Sequence, residues 1–277
     1  MTITTTPTPA DIDRNAPHSA SLSGYIAAVE SEGRRFARAA AMSELDLAVP
    51  PCPGWVMRDL VRHLGEIHLW AAANIVAPKP SWLQVDQLGD LQQYWPDLAA
   101  AWPSDAELIP WYRATNATLV DVLQSAPLDV QAFTFLPAPT PLTMWARRQA
   151  SEIAIHRFDA ESTQRIVSHF DAGFAADMLD ELITGFAPHY RSDAVTAVRI
   201  LQVVAADVDE QWWVTIGPDG ITTARTGGQP DLTVTGSAAE LYLLLWNRTH
   251  DSTVQLDGDT RLMDAWRHLC QVVWSGG

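Results

Sequence analysis

The segment WARRQASEIAIHRFDAE (residues 145–161) indicates how the N-terminal half of the chain folds, because it predicts a helix with polar residues on its inner face. Glu152 and His156 are four residues apart, so their side chains project from the same face, one turn apart. A carboxylate and an imidazole in this arrangement can bind one metal ion in the core of a helical bundle. An ordinary exposed Glu–His pair is the alternative interpretation. The inner stripe of the helix is expected to contain Trp145, Gln149, Glu152, His156 and Asp159.

A second predicted helix, MRDLVRHLGEIHLW (residues 57–70), contributes a third possible metal ligand, His63. The apolar stripe of this helix consists of Leu60, Leu64, Ile67 and Ala71. His63 lies at the edge of the stripe. An inward His opposite the Glu–His pair gives three N/O ligands and leaves one coordination position open, as in catalytic zinc sites. A histidine satisfied within the core is the alternative for His63. Asp59 either holds its second ring nitrogen or places a favourable charge at the helix start.

Helical spacing recurs in four segments of the N-terminal half, which predicts a four-helix bundle. The predicted helices cover approximately residues 20–45, 57–75, 87–123 and 142–162. The third is expected to break or kink at its two Trp-Pro pairs, 95–96 and 102–103. Proline-rich stretches separate the helices, since proline cannot continue a helix.

After His169 the pattern changes from helical spacing to short alternating runs, which predicts an α+β unit with an antiparallel or mixed sheet. The β-type runs lie at residues 199–207, 211–217, 220–225, 231–236 and 253–256. Predicted helices lie at residues 172–186, 237–246 and 260–274. The sequence Gly-Pro-Asp-Gly at 217–220 predicts a hairpin, and Ser237 is a plausible N-cap.

These patterns divide the chain into three parts. Residues 1–17, rich in Thr and Pro, are predicted to be a disordered tail. Residues 18–165 are predicted to form the metal-binding bundle, and residues 166–277 the smaller α+β domain. The boundary is expected at 163–171.

Composition excludes several classes of partner. The formal net charge of −15 argues against nucleic acid and anionic membranes, which require a basic face. No apolar run approaches the length of about 18 residues that a membrane span needs. The N-terminus lacks the basic start and apolar core of a secretory signal. Two cysteines, Cys52 and Cys270, far apart in sequence, are typical of a reducing compartment, so a soluble, cytoplasmic protein is expected.

Two motifs together resemble the actinobacterial, mycothiol-dependent maleylpyruvate isomerase family: PCPGWVMRDLVRHL (residues 51–64) and ARRQASEIAIHRFDAE (residues 146–161). The resemblance implies a DinB-like, metal-binding four-helix bundle followed by a sterol-carrier-like α+β domain. By the same resemblance, His63, Glu152 and His156 match the family's metal ligands, with zinc as the usual ion and mycothiol as thiol co-substrate. One departure is Val56, where the family often has Ser or Thr; Val cannot cap the following helix.

The implied chemistry is thiol activation. A divalent ion deprotonates a bound thiol, and the thiolate is the nucleophile that attacks a small electrophilic substrate. Addition, bond rotation and elimination give an isomerase, whereas addition or displacement alone gives an S-transferase. The alternatives are a hydrolase or amidase that acts on thiol conjugates through a metal-bound water, and a non-catalytic binding protein that retains the fold. A monomer or a homodimer is compatible with the sequence.

Two arginines are candidate catalytic cations, because a carboxylate-bearing substrate needs a positive group. Arg148 lies about one turn before Glu152, and Arg248 follows the helix at 237–246, from where it could reach across the domain interface towards the metal. Arg147 is expected to be solvated or paired with acidic neighbours. Cys52, in its proline-rich turn, is expected to be structural.

Overall fold

Four long helices build the N-terminal part of the chain. The computed structural model describes residues 21–77, 83, 88–190 and 197–270, so the predicted tail at 1–17 lies outside the described residues. The helices are α1 (Leu22–Ala41), α2 (Met57–Val76), α3 (Asp105–Ser125) and α4 (Pro141–Ser162). Helix α1 packs against α3 and α4, and α2 packs against the same two helices from the other side of the bundle. The predicted four-helix bundle is confirmed.

Local sequence explains where the helices begin. The Ser21 hydroxyl accepts a hydrogen bond from the Gly24 N–H at the start of α1, and the Thr140 hydroxyl accepts one from Thr143 before α4. Helix α2 follows Val56, which has no side-chain acceptor. Here the Asp59 carboxylate accepts the Val56 N–H at 3.0 Å, so Asp59 stabilises the helix start.

The segment before α3 differs from the predicted helix at 87–123. A short 3-10 turn spans Leu88–Leu91, and α3 begins only at Asp105. The two Trp-Pro pairs explain the difference, because a residue before proline is disfavoured in the helical region. The indole N–H of Trp95 instead donates to the Leu69 carbonyl at 3.2 Å, and this bond holds the irregular segment on α2.

A five-stranded mixed sheet forms the C-terminal part. Its strands are β1 (Arg199–Ala205), β2 (Glu210–Gly217), β3 (Gly220–Ala224), β4 (Leu232–Gly236) and β5 (Gln255–Gly258), in the order β3-β2-β1-β4-β5. Strands β1 and β4 are parallel, and the other neighbours are antiparallel. In the predicted hairpin Gly217 pairs with Gly220, whose φ of 114° suits glycine.

Three further helices accompany the sheet in the described part of the chain. They are α5 (Ala172–Asp180), α6 (Ala238–Leu245) and α7 (Arg261–Leu269). Helix α5 continues without interruption into a π-helical segment, Glu181–Phe186. Ser237 caps α6 in a capping box with Glu240, as the sequence predicts. Residues 271–274, the end of the last predicted helix, lie outside the described residues.

Helix α4 joins the two parts. The Tyr242 hydroxyl of α6 donates to the Ser151 carbonyl of α4 at 3.1 Å. Arg147 of α4 donates to the carboxylates of Asp177 and Asp180 on α5 at 2.9 and 3.1 Å, so the expected acidic pairing of Arg147 is confirmed. None of the helices among the described residues is long and apolar enough to cross a membrane.

Gly65 allows α2 and α3 to approach closely. A Cβ at this position would lie 2.2 Å from Cζ3 of Trp111, a buried ring that cannot move freely. We expect Gly65→Ala to lower the free energy of unfolding by about 1–2 kcal/mol, because overpacking costs about 1–3 kcal/mol and helix propensity returns up to about 1 kcal/mol. Urea denaturation measures this, with Gly89→Ala, where a Cβ meets nothing within 4 Å, as the control. Equal stability of the two variants would contradict the prediction.

Candidate metal centre

The three residues predicted to bind a metal lie together between α2 and α4. His63 Nε2 is 3.1 Å from Glu152 Oε1, and His156 Nε2 is 3.3 Å from the same oxygen. One ligand atom from each residue lies within 4.8 Å of the other two. The helical phase explains the arrangement, because Glu152 and His156 are one turn apart on α4 and His63 faces them from α2. Three N/O donor atoms therefore converge on one point.

Asp159 orients His156. Its Oδ2 is 2.8 Å from His156 Nδ1, which leaves Nε2 directed at Glu152. A ligating histidine commonly donates its second ring N–H to a carboxylate in this way. The sequence placed Asp159 on the inner stripe but gave it no role. The signal was its spacing, three residues after His156 on the same face.

Arg248 reaches Asp159 from the C-terminal part. Its Nε and Nη2 donate to the two carboxylate oxygens of Asp159, each at 2.9 Å, and its Nη1 donates to the Trp246 carbonyl. Asp159 is completely buried, so this bidentate ion pair is shielded from solvent. Arg248 thus contacts the candidate metal ligand His156 indirectly, through the carboxylate of Asp159.

Cys52 belongs to the same cluster, although the sequence suggested only a structural role. Its thiol donates to Asp159 Oδ2 at 3.2 Å, and Cys52, His156 and Asp159 are themselves close enough to share an ion. Both oxygens of Asp159 are already engaged by Arg248, however. Oε1 of Glu152, by contrast, faces the imidazole nitrogens of His63 and His156 and is not bound by an arginine, so His63, Glu152 and His156 are the better donor set.

Arg148 lies on the other side of Glu152. Its Nη2 donates to Glu152 Oε2 at 2.7 Å and its Nη1 to Glu181 Oε2 at 2.6 Å. The guanidinium also stacks over the ring of Phe186, 4.8 Å from its centroid. Arg148 is only 4% exposed, so in this structure it contacts the site through Glu152.

Two of the three candidate ligands, Glu152 and His63, have the protonation state that a metal ion requires. Burial would raise the pKa of Glu152, but the hydrogen bonds from His156 and His63 and the charge of Arg148 hold that pKa well below its usual range. Burial lowers the pKa of His63, despite its bond to Glu152. Glu152 is therefore a carboxylate and His63 is neutral, and these are the forms that coordinate a metal ion. Burial opposes a charge on His156, but its bonds to Asp159, Cys52 and Glu152 raise its pKa well above the usual range, so a metal ion at this site would displace a proton from the ring.

Trp55 closes one side of the site. Its ring lies 5.1 Å from that of His63, edge to face, and 6.4 Å from that of His156, stacked. The turn at residues 51–54 positions the ring, and Gly54 has a φ of 88° that favours glycine. The role of Trp55 was not anticipated from the sequence, since a single Trp after a turn carries no periodic signal.

Comparison with known proteins gives consistent results. The model of the mycothiol maleylpyruvate isomerase N-terminal domain matches residues 26–161, and that of the MDMPI C-terminal domain matches residues 169–265. A crystal structure of the mycothiol-dependent maleylpyruvate isomerase superposes with a TM-score of 0.57 at 14% identity, covering 86% of this chain and 93% of that one. A mutant of the mycothiol-dependent maleylpyruvate isomerase gives the same TM-score and coverage at 12% identity.

No curated protein sequence matches the chain. The solved structures support the fold alone, because their identities are low. The two domain models, however, follow each other in the expected order and cover most of the sequence. The chain therefore belongs to the mycothiol maleylpyruvate isomerase family of enzymes.

Proposed function

We propose that this protein is a metal-dependent thiol enzyme that uses mycothiol, or a related low-molecular-weight thiol, to isomerise a small electrophilic substrate or to transfer the thiol to it. The convergence of His63, Glu152 and His156 carries the proposal. The family supports the thiol, since both domain models are those of mycothiol-dependent isomerases. The partners are then a small thiol and a small electrophile, and the expected compartment is the cytoplasm.

The donor set fits a divalent ion, with zinc as the favoured metal. Two imidazole nitrogens and one carboxylate oxygen are the ligands of many catalytic zinc sites, in which a further position stays open for water or substrate. When bound, such an ion would lower the pKa of a thiol and so make the nucleophilic thiolate available at neutral pH. His63 Nε2, Glu152 Oε1 and His156 Nε2 would hold it.

The surrounding residues keep the ligands in place. Asp159 accepts from Nδ1 of His156 and so keeps the Nε2 lone pair on the metal side. The carboxylate of Asp159 binds Arg248. The carboxylates of Glu152 and Glu181 bind Arg148. We therefore propose that both arginines act first by positioning His156 and Glu152, rather than as free cations for a substrate carboxylate.

Metal analysis and a thiol-dependent assay test the proposal together. We expect purified protein to contain a stoichiometric divalent ion, and mycothiol with maleylpyruvate or another activated electrophile to give isomerised product or an S-conjugate by mass spectrometry. Chelator-treated protein is the control and should regain turnover when zinc is restored. Absence of a stoichiometric ion, or turnover that does not need the thiol, would contradict the proposal. Hydrolysis of a thiol conjugate without S-transfer would instead indicate an amidase.

A further inference from the structure

A buried carboxylate of the C-terminal part lies behind the metal centre. Glu181 is the first residue of the π-helical segment that continues α5, and it is only 2% exposed. Its Oε2 accepts from Arg148 Nη1 at 2.6 Å. A carboxylate this deeply buried costs free energy unless it is paired, and the guanidinium of Arg148 supplies the opposite charge.

Arg148 is confined on all sides by groups from both parts of the chain. Two carboxylates bind its nitrogen atoms, Glu152 from α4 and Glu181 from the π-helical segment. Two aromatic rings lie near its faces, Phe186 with its centroid at 4.8 Å and Trp246 at 5.7 Å. These four contacts restrict the orientation of the guanidinium.

The two oxygens of Glu152 have separate partners. Oε2 accepts from Arg148 at 2.7 Å, whereas Oε1 faces His63 Nε2 and His156 Nε2 at 3.1 and 3.3 Å. Arg148 therefore fixes the orientation of the carboxylate, with one oxygen on the guanidinium and the other directed at the imidazoles. Without Glu181 the guanidinium would lose the carboxylate that holds its Nη1, and the orientation of the Glu152 carboxylate would be less restricted.

A neighbouring ion pair, Asp177 with Arg147, also connects the C-terminal part to α4 but does not contact Glu152. It therefore serves as a comparison for the Glu181–Arg148 pair. Asp177 lies four residues before Glu181 on the same face of the helix and binds Arg147, the residue next to Arg148. Both acids therefore link the C-terminal part to α4. Only the Glu181–Arg148 pair continues to a metal ligand.

We infer that Glu181 is a positioning residue for the metal centre, which acts through Arg148 to hold the Glu152 carboxylate with one oxygen directed at His63 and His156. The inference rests on the proposed function, because it assumes that these three residues bind the ion. It implies that the C-terminal part tunes metal affinity from outside the coordination sphere. The helix that carries Glu181 is locally π-helical, a geometry that is frequent at functional sites.

The test compares Glu181→Ala with Asp177→Ala in the full chain. We expect Glu181→Ala to bind Zn²⁺ about 10–100-fold more weakly in a chelator competition, the usual effect of losing an outer-shell partner. The visible absorption spectrum of the Co²⁺-loaded protein should change as well, because the carboxylate that binds the ion is reoriented. Asp177→Ala should keep the wild-type affinity and spectrum, although it also loses an ion pair between α5 and α4. Glu181→Gln, which retains an acceptor, should lose less affinity than Glu181→Ala.

The outcomes distinguish the two proposals. Wild-type protein that binds no Zn²⁺ would overturn the proposed function, and with it the inference. Wild-type protein that binds Zn²⁺, with Glu181→Ala indistinguishable from Asp177→Ala in affinity and Co²⁺ spectrum, would overturn the inference alone. If Glu181→Ala does not fold, Glu181→Met replaces it, because Met has a similar volume and no carboxylate. Unchanged affinity and spectrum in that variant would also overturn the inference.

Discussion

His63→Ala is expected to lose stoichiometric metal and thiol-dependent turnover while keeping its fold. His63 is the only ligand that α2 contributes to the proposed centre, and its Nε2 lies 3.1 Å from Glu152 Oε1. Removing a direct ligand should weaken metal binding by more than about 100-fold, since outer-shell partners alone account for about 10–100-fold. Elemental analysis and a zinc titration measure the loss, and far-ultraviolet circular dichroism reports on the fold.

His68→Ala is the matched control for His63→Ala, because both histidines lie on α2. His68 is fully buried, pairs with the Thr115 hydroxyl at 3.2 Å, and has a pKa lowered to about 3, chiefly by burial. We expect this variant to lose stability and keep its metal. If His63→Ala retained a stoichiometric ion, the ligands would have to be sought in the second group, Cys52, His156 and Asp159.

Asp159→Ala is expected to lower the free energy of unfolding by about 3–5 kcal/mol, because it leaves the largely buried guanidinium of Arg248 without its carboxylate. The same change removes the acceptor of His156 Nδ1, so zinc affinity should also fall by about 10–100-fold. Urea denaturation of metal-free protein measures the first effect, and zinc titration the second.

The double variant Asp159→Leu with Arg248→Met separates the two effects. Replacing both members of a buried ion pair with apolar side chains is often neutral for stability, so most of the lost free energy of unfolding should return. Zinc affinity should stay low, because His156 Nδ1 still lacks its partner. Wild-type affinity in the double variant would show that Asp159 does not orient His156.

Much of the fold follows from local patterns in the sequence. Helices α1, α2 and α4 begin and end within a few residues of their predicted bounds, because their apolar spacing and caps act within one turn. The hairpin at Gly217–Gly220 follows in the same way from its turn residues. The prediction of a helix between residues 87 and 104 was wrong. The two Trp-Pro pairs prevent a regular α-helix over this whole segment, whereas the sequence predicted only a break or a kink at each pair.

The sequence by itself determined which residues share a helix face, and hence that Glu152, His156 and Asp159 point the same way. Only the tertiary structure decided their partners. Arg248 lies 89 residues from Asp159, and Glu181 lies 33 residues from Arg148. Helical periodicity is a local property, with a repeat of about 3.6 residues. It predicts the face of the helix on which a side chain lies, but it does not predict which distant segment of the chain packs against that face. Charged residues look alike in sequence whether they meet solvent or a buried counter-ion, and only the folded chain distinguishes the two.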